Sequence, residues 1–219
     1  YEISECLVGS EMCIRDSLTT GSAIYFMKHV LGNGSLLGLF SMMKMFPVII
    51  ALIFTPILVK KTGSMQKVNF WGYVISDILG IFLIIFAMQK NLPMMLLFMF
   101  LKGTFAGTMS GTLNALIAEI SGYTYRTKGV HIDGMMFSCS SLGVKVGGGI
   151  GTAAVGWLLH AAGYAGKAAT QTAAATNMIF SMYITIPVIL GVVITILLGL
   201  MKVEKENKRI DMERAEQAD

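Results

Sequence analysis

The sequence predicts an all-α, polytopic membrane protein, and three observations carry that prediction. Of its 219 residues 54% are hydrophobic and only 14% charged, against roughly 25% charged in a soluble domain, and the mean hydropathy is +0.68. Five apolar runs, 36–59, 68–88, 93–118, 134–161 and 179–201, are each long enough, at about 1.5 Å per helical residue, to cross a hydrocarbon core roughly 30 Å thick. The basic residues between the runs are also divided unequally between the two sides.

The segment 1–17 breaks with everything downstream. It lacks an initiator methionine and the basic start plus apolar run of a signal peptide. Its text from Glu5 to Ser17 resembles a translated sequencing adapter fused to a gene fragment. The segment is therefore set aside as non-native, with native sequence expected from near Leu18. The next stretch, 18–31, is apolar but too short to cross, so it reads as the end of a sixth helix.

The five runs then alternate across the bilayer. Lys60, Lys61, Lys67, Arg126, Lys128, Lys202, Lys205, Lys208, Arg209 and Arg214 fall on one side, and Lys28, Lys90 and Lys167 on the other. Basic loops stay in the cytoplasm, which predicts a cell (inner or plasma) membrane protein with a cytoplasmic C-terminus. Trp71 and Trp157 suit the aromatic belts at opposite interfaces. The connector 162–176, rich in Ala, Gly and Thr, reads as a mobile outer loop, and 202–219 as a solvated polar tail.

Four ionisable residues lie about 12 to 16 Å from a span end: Lys44, Asp77, Lys102 and Lys145. Charge at that depth must face a partner, a bundle interior or a wet cavity. Lys44, across a short hairpin, is the expected partner of Asp77 in an intramembrane ion pair. Lys102 is near enough to the outer end for its stem to snorkel. Lys145 shares a helical face with Ser138, Ser141, Gly149 and Thr152, the small and polar lining of a water-accessible path. Gly103, Gly107 and Gly111 repeat a GxxxG spacing, as do Gly143, Gly147 and Gly151, which predicts closely packed helices.

The stretch Ala118–Gly134, followed by Phe137, Ser138 and then Lys145 with its glycines, resembles the loop and eleventh helix of the glycoside–pentoside–hexuronide:cation symporters. That family includes the melibiose carriers of the major facilitator superfamily. Ala118, Tyr123, the basic and glycine elements and Lys145 follow its pattern. Glu119 stands where the family has Asp, Gly122 where it has a second Asp, His131 where it has Arg, and Asp133 where it has Glu. Ser110 occupies a tenth-helix position that is aromatic in melibiose carriers.

The resemblance implies the C-terminal six-helix lobe of a twelve-helix major facilitator fold, from the end of helix seven through helix twelve. It implies symport of a sugar with sodium or a proton. Lys145 would join substrate and coupling, Ser140, Ser141 and Val144 would be its substrate-facing neighbours, and Ser110 would line the sugar site. Glu119, Arg126, Lys128, His131 and Asp133 would form part of a cytoplasmic gate. The partners implied are a sugar, a coupling cation, the lipid bilayer and a missing N-terminal lobe that holds most of the cation site.

Other classes fare worse on the residues alone. Cys6, Cys13 and Cys139 have no metal-ligand spacing, so no metal or cofactor is expected. No nucleophile–base pair or nucleotide loop points to an enzyme. The basic residues mark membrane edges and form no patch for nucleic acid. A lysolipid or amphiphile carrier of the same superfamily is one alternative, and a non-transporting accessory membrane protein is another.

Overall fold

The computed structural model describes residues 2–168 and 170–200, together with 204, 206, 207, 209, 210 and 212, with side chains from Leu7 onward. The described residues are helical with short connectors, and no strand occurs among them. Helix α1 (Glu2–Tyr25) runs into a wide π turn at Phe26–Val30. There follow α2 (Leu36–Thr62), α3 (Met65–Met88), α4 (Leu92–Ala106) and α5 (Thr108–Lys128). The chain closes with α6 (Asp133–Ala161), α7 (Ala173–Phe180), a second π turn at Ser181–Thr185, and α8 (Ile186–Leu200). Five continuous stretches, 36–62, 65–88, 92–128, 133–161 and 173–200, are long and apolar enough to cross a membrane.

Local chemistry sets the ends. Ser64 caps α3 by accepting from the Lys67 amide at 3.2 Å, and Asn91 and Thr172 accept from Met94 and Ala175 at the starts of α4 and α7. Gly63 and Gly129, at φ of 64° and 71°, end α2 and α5 in the left-handed conformation that glycine adopts without a Cβ penalty.

Helix α3 shows how the inward and outward faces of a span divide. Along α3 the buried positions are Asn69, Gly72, Tyr73, Ser76, Gly80, Leu83 and Ala87, while Trp71, Ile78, Ile81, Ile85 and Met88 are exposed. Small and polar residues at three- and four-residue spacing face neighbouring helices, and the large apolar ones face lipid. Helix α3 packs between α4 and α8, α2 lies against α4 and α5, and α6 lies along α1. The two π turns meet, with the Phe26 and Tyr183 rings stacked at 4.5 Å.

Both glycine series sit at close helix contacts. A Cβ on Gly103 would be 3.0 Å from Pro47, and one on Gly107 would be 2.8 Å from Ala51, so α2 approaches the α4–α5 seam backbone to backbone. Gly147 and Gly151 face the backbone of Ser10 and Ile14 in the same manner.

Two expectations about boundaries need correction. The span expected at 93–118 continues as α5 to Lys128, so most of the stretch read as a loop is helix. Its charges concealed a buried stripe of Ile117, Ile120, Ser121 and Thr124 at helical spacing. The last span starts at Ala173 and not at 179, because Thr172 caps a helix that absorbs the end of the expected outer loop. What is left of that loop is tied down: Gln171 holds both the amide and the carbonyl of Ala165, and the Tyr164 hydroxyl lies 3.2 Å from His29 Nε2. Burial, and then the neighbouring Tyr25 hydroxyl, raise Tyr164 above the ordinary phenol range.

Residues 2–17, set aside on sequence, are helical here, and with 18–25 they form α1. Of the expected tail, Lys202, Lys205, Lys208 and Arg214 lie outside the described residues.

Candidate substrate and gate sites

Lys145 lies near the middle of α6, twelve residues from one end and sixteen from the other. Its side chain is exposed and lines an open groove of about 420 Å³ with Phe137, Ser138, Ser141 and Leu142. None of the hydrogen bonds or ion pairs among the described residues involves it. The helix thus presents a lysine and two hydroxyls on one face at mid-span, an arrangement suited to hydrogen-bonding a polyol or pairing with a carboxylate.

Ser140 and Val144 do not share that groove. Ser140 belongs to the buried stripe Met136, Ser140, Gly147, Gly151, Val155 and Leu159, and a Cβ on Gly9 of α1 would be 3.9 Å from its hydroxyl. Val144, half-buried, lies four residues on, on the same side. A helix turns about 100° per residue, so these two positions cannot face the same way as Ser141 and Lys145.

The expected pair of Lys44 and Asp77 is absent. Lys44 donates to Thr20 Oγ1 at 2.9 Å and lies 3.6 Å from Asp16, while Asp77 Oδ2 accepts from Thr195 of α8 at 2.6 Å. The reason is rotational: the face of α3 that carries Asp77 looks toward α8, and α2 is turned to the α4–α5 seam. Asp77 interacts electrostatically with Lys102 of α4. That lysine does not snorkel, and its Nζ would be 3.4 Å from a Cβ on Gly80 of α3. Asp77 Oδ1 is buried with no hydrogen-bond partner.

Lys44, Lys102 and Ser110 meet elsewhere. They line one cavity of about 150 Å³, bounded also by Phe40 and Tyr183. A wider cleft of about 630 Å³ adjoins it, lined by Thr19, Thr20, Ser41, Lys44 and Tyr183 among others. The predicted site residues therefore form two groups, Ser141 with Lys145 on α6, and Ser110 with Lys44 and Lys102 around α2 and α4.

The expected gate residues occupy one end of the bundle. Glu119 lies within α5, Arg126 and Lys128 are on its last turn, and Asp133 opens α6. His131 Nδ1 is 3.8 Å from Asp133 Oδ2, and its ring stacks on Tyr125 at 4.0 Å. The sequence reading missed the residues that cover Glu119. Asn207, buried, donates from Nδ2 to the Glu119 carbonyl at 3.0 Å and to Glu119 Oε2 at 2.9 Å. Glu204, also buried, accepts from the Ser64 hydroxyl at 2.8 Å and the Gln66 amide at 3.0 Å. These two tail residues are not solvated. Polar residues one turn apart at the end of an apolar span were the available signal.

Comparison with known proteins gives a consistent picture. A family model described as MFS/sugar transport protein matches residues 13–205. An isoprimeverose transporter of Lactiplantibacillus pentosus is 27% identical over 182 residues, covering 83% of this chain and 37% of its own length. A protein of Escherichia coli named for glycoside/cation symport is 24% identical over 205 residues, covering 91% of this chain and 44% of its own. An uncharacterised 29.9 kDa protein of Pseudescherichia vulneris is 26% identical over 174 residues, covering 78% of this chain and 62% of its own. The chain thus spans from about two-fifths to three-fifths of the length of these curated relatives. With five helical stretches long and apolar enough to cross a membrane and a family match over most of its length, the chain belongs to the MFS/sugar transport proteins.

Proposed function

We propose that this chain is the C-terminal lobe of a carrier that moves a sugar together with sodium or a proton across the cell membrane. The observation that carries the reading is Lys145, exposed at mid-span beside Ser138 and Ser141 in an open groove. A cation at that depth is tolerated where protein or water covers it, not lipid. In this reading an N-terminal lobe faces α6, its carboxylates meet Lys145, and sugar binds between the lobes. The lobes rock about the midplane so that the site opens to one side at a time. Lys44, Lys102 and Ser110 form a second polar wall of the same path.

The excess of basic residues on the side of the Lys60–Lys61 turn supports a cytoplasmic C-terminus. Glu119, Arg126, Lys128, His131 and Asp133 then form part of the cytoplasmic gate. The segment 1–12, which precedes the family match, is given no role in this reading. Helix α6 meets α1 through Gly147 and Gly151, which accept almost any close backbone.

The test is Lys145→Ala in the complete carrier, with labelled sugar uptake measured under a sodium or proton gradient. Uptake is expected to fall by about 100-fold or more while the amount of protein in the membrane is unchanged. Gradient-driven uptake at the parent rate would overturn the assignment.

A further inference from the structure

Between Ser64 at the start of α3 and Glu119 on α5 lies a strap of two buried tail residues, and nothing in the transport reading so far uses it. Glu204 is 8% exposed and Asn207 2% exposed, although the surrounding tail is strongly polar. Glu204 reaches the α2–α3 turn, where its Oε2 takes the Ser64 hydroxyl and the Gln66 amide, so a carboxylate sits on the open amides of the α3 N-terminus. Gln66 ties the turn to α8 as well, donating from Nε2 to the Leu198 carbonyl at 3.1 Å. Asn207 lies three residues on, about one helical turn, and reaches α5. Both of its contacts there are to the same residue, the carbonyl and the carboxylate of Glu119.

That pair of contacts fixes a side chain and not merely a helix. The carbonyl places the Asn207 amide against the α5 backbone, and the second N–H then holds Glu119 Oε2 in one rotamer. Asn207 Oδ1 is buried without a hydrogen-bond partner. Burying half of an amide unsatisfied is costly, so the other half must be held firmly. The opposite anchor, Glu204, prevents the strap from sliding.

We infer that Asn207, anchored through Glu204, is a positioning residue for Glu119, presenting that carboxylate at one set orientation within the cytoplasmic gate. The inference rests on the proposed transport function, and it adds a residue that sets gate strength without touching sugar or cation.

The experiment is a double-substitution cycle in the complete carrier. Asn207→Leu keeps the branched shape of the side chain and removes both hydrogen bonds, and Glu119→Gln removes the carboxylate charge. Uptake rates normalised to protein in the membrane are measured for both single variants and the double variant. Each single variant is expected to slow uptake by about tenfold, and the double variant to be at least about fivefold faster than the product of the two effects predicts. A purely multiplicative result overturns the inference, because it means that Asn207 acts on the fold and not through Glu119.

Hydrogen–deuterium exchange on purified carrier supplies a readout that needs no transport. Asn207→Leu is expected to raise exchange about tenfold in the amides of 119–128 and to leave those of α3 unchanged. Unchanged exchange in 119–128 also overturns the strap. A parent carrier that takes up no sugar defeats the transport reading alone, and the exchange result then decides the strap by itself.

Discussion

Lys102 and Lys145 are the same residue at similar depth, and the structure treats them in opposite ways. Lys102 is turned into the α3–α4 contact beside Gly80, in the fields of Arg15 and Asp77 and without an ion pair closed to Asp77. Lys145 stands on an open face with two serines, and no described residue bonds it. The comparison separates two uses of charge in a membrane. A charge buried inside one lobe answers to the fields of that lobe's own residues. A charge left on the lobe's surface must be satisfied by something that comes and goes, which is what a moving site requires.

The largest expected effect breaks the inner arrangement. Asp77→Asn removes the carboxylate whose field opposes that of Arg15 at Lys102 and is expected to destabilise the lobe by up to about 3 kcal/mol, since buried cations are then left unopposed. Lys145→Met should leave the unfolding midpoint of the purified carrier nearly unchanged. Thermal unfolding of both variants in one detergent checks the contrast, and equal shifts would erase the distinction drawn above. Asp77→Asn combined with Lys102→Met removes the lysine charge as well and should recover part of the loss, with Arg15 the cation that remains.

A smaller effect contrasts two glycines. A Cβ on Gly72 would be 2.8 Å from the Phe105 carbonyl oxygen, a backbone atom that cannot step aside, whereas one on Gly149 meets nothing within 4 Å. Gly72→Ala is expected to cost about 1–3 kcal/mol by overpacking the α3–α4 contact. Gly149→Ala is expected to be neutral or to stabilise by up to about 1 kcal/mol through helix propensity. The same unfolding series reads both.

The smallest effect concerns the neutral polar contact inside the lobe. Asn69 Nδ2 donates to Thr112 Oγ1 at 2.7 Å, and the Thr112 hydroxyl lies 2.9 Å from Asn69 Oδ1, joining α3 to α5 in a buried position. Thr112→Val preserves shape and removes the hydroxyl. The expected loss is about 1 kcal/mol, the scale of an interhelical hydrogen bond in a membrane protein.

These residues also show how much was legible from sequence. The five spans were, since twenty apolar residues with few charges have no stable home but lipid, and length and hydropathy record that directly. The buried stripe of α3 was legible in principle, because Asn69, Gly72, Tyr73, Ser76 and Gly80 recur at helical spacing. What could not be read was rotation about each helix axis relative to its neighbours. Asp77 and Lys44 are adjacent in any hairpin drawing, and a modest turn of α3 sends Asp77 to Thr195. Ser140 and Ser141 are adjacent in sequence, and one faces α1 while the other opens to the groove.

The sequence by itself determined the class of the protein, the number and approximate positions of the apolar spans, the glycine seams and the identity of the mid-span charges. Those are properties of single helices and of transfer between water and lipid, and each is local. Tertiary structure alone decided which charges pair, which lysine faces out, and that Glu204 and Asn207 fold back onto Ser64 and Glu119. Those outcomes depend on contacts between residues as far as 140 positions apart. Their directions follow from helix packing, which no local periodicity encodes.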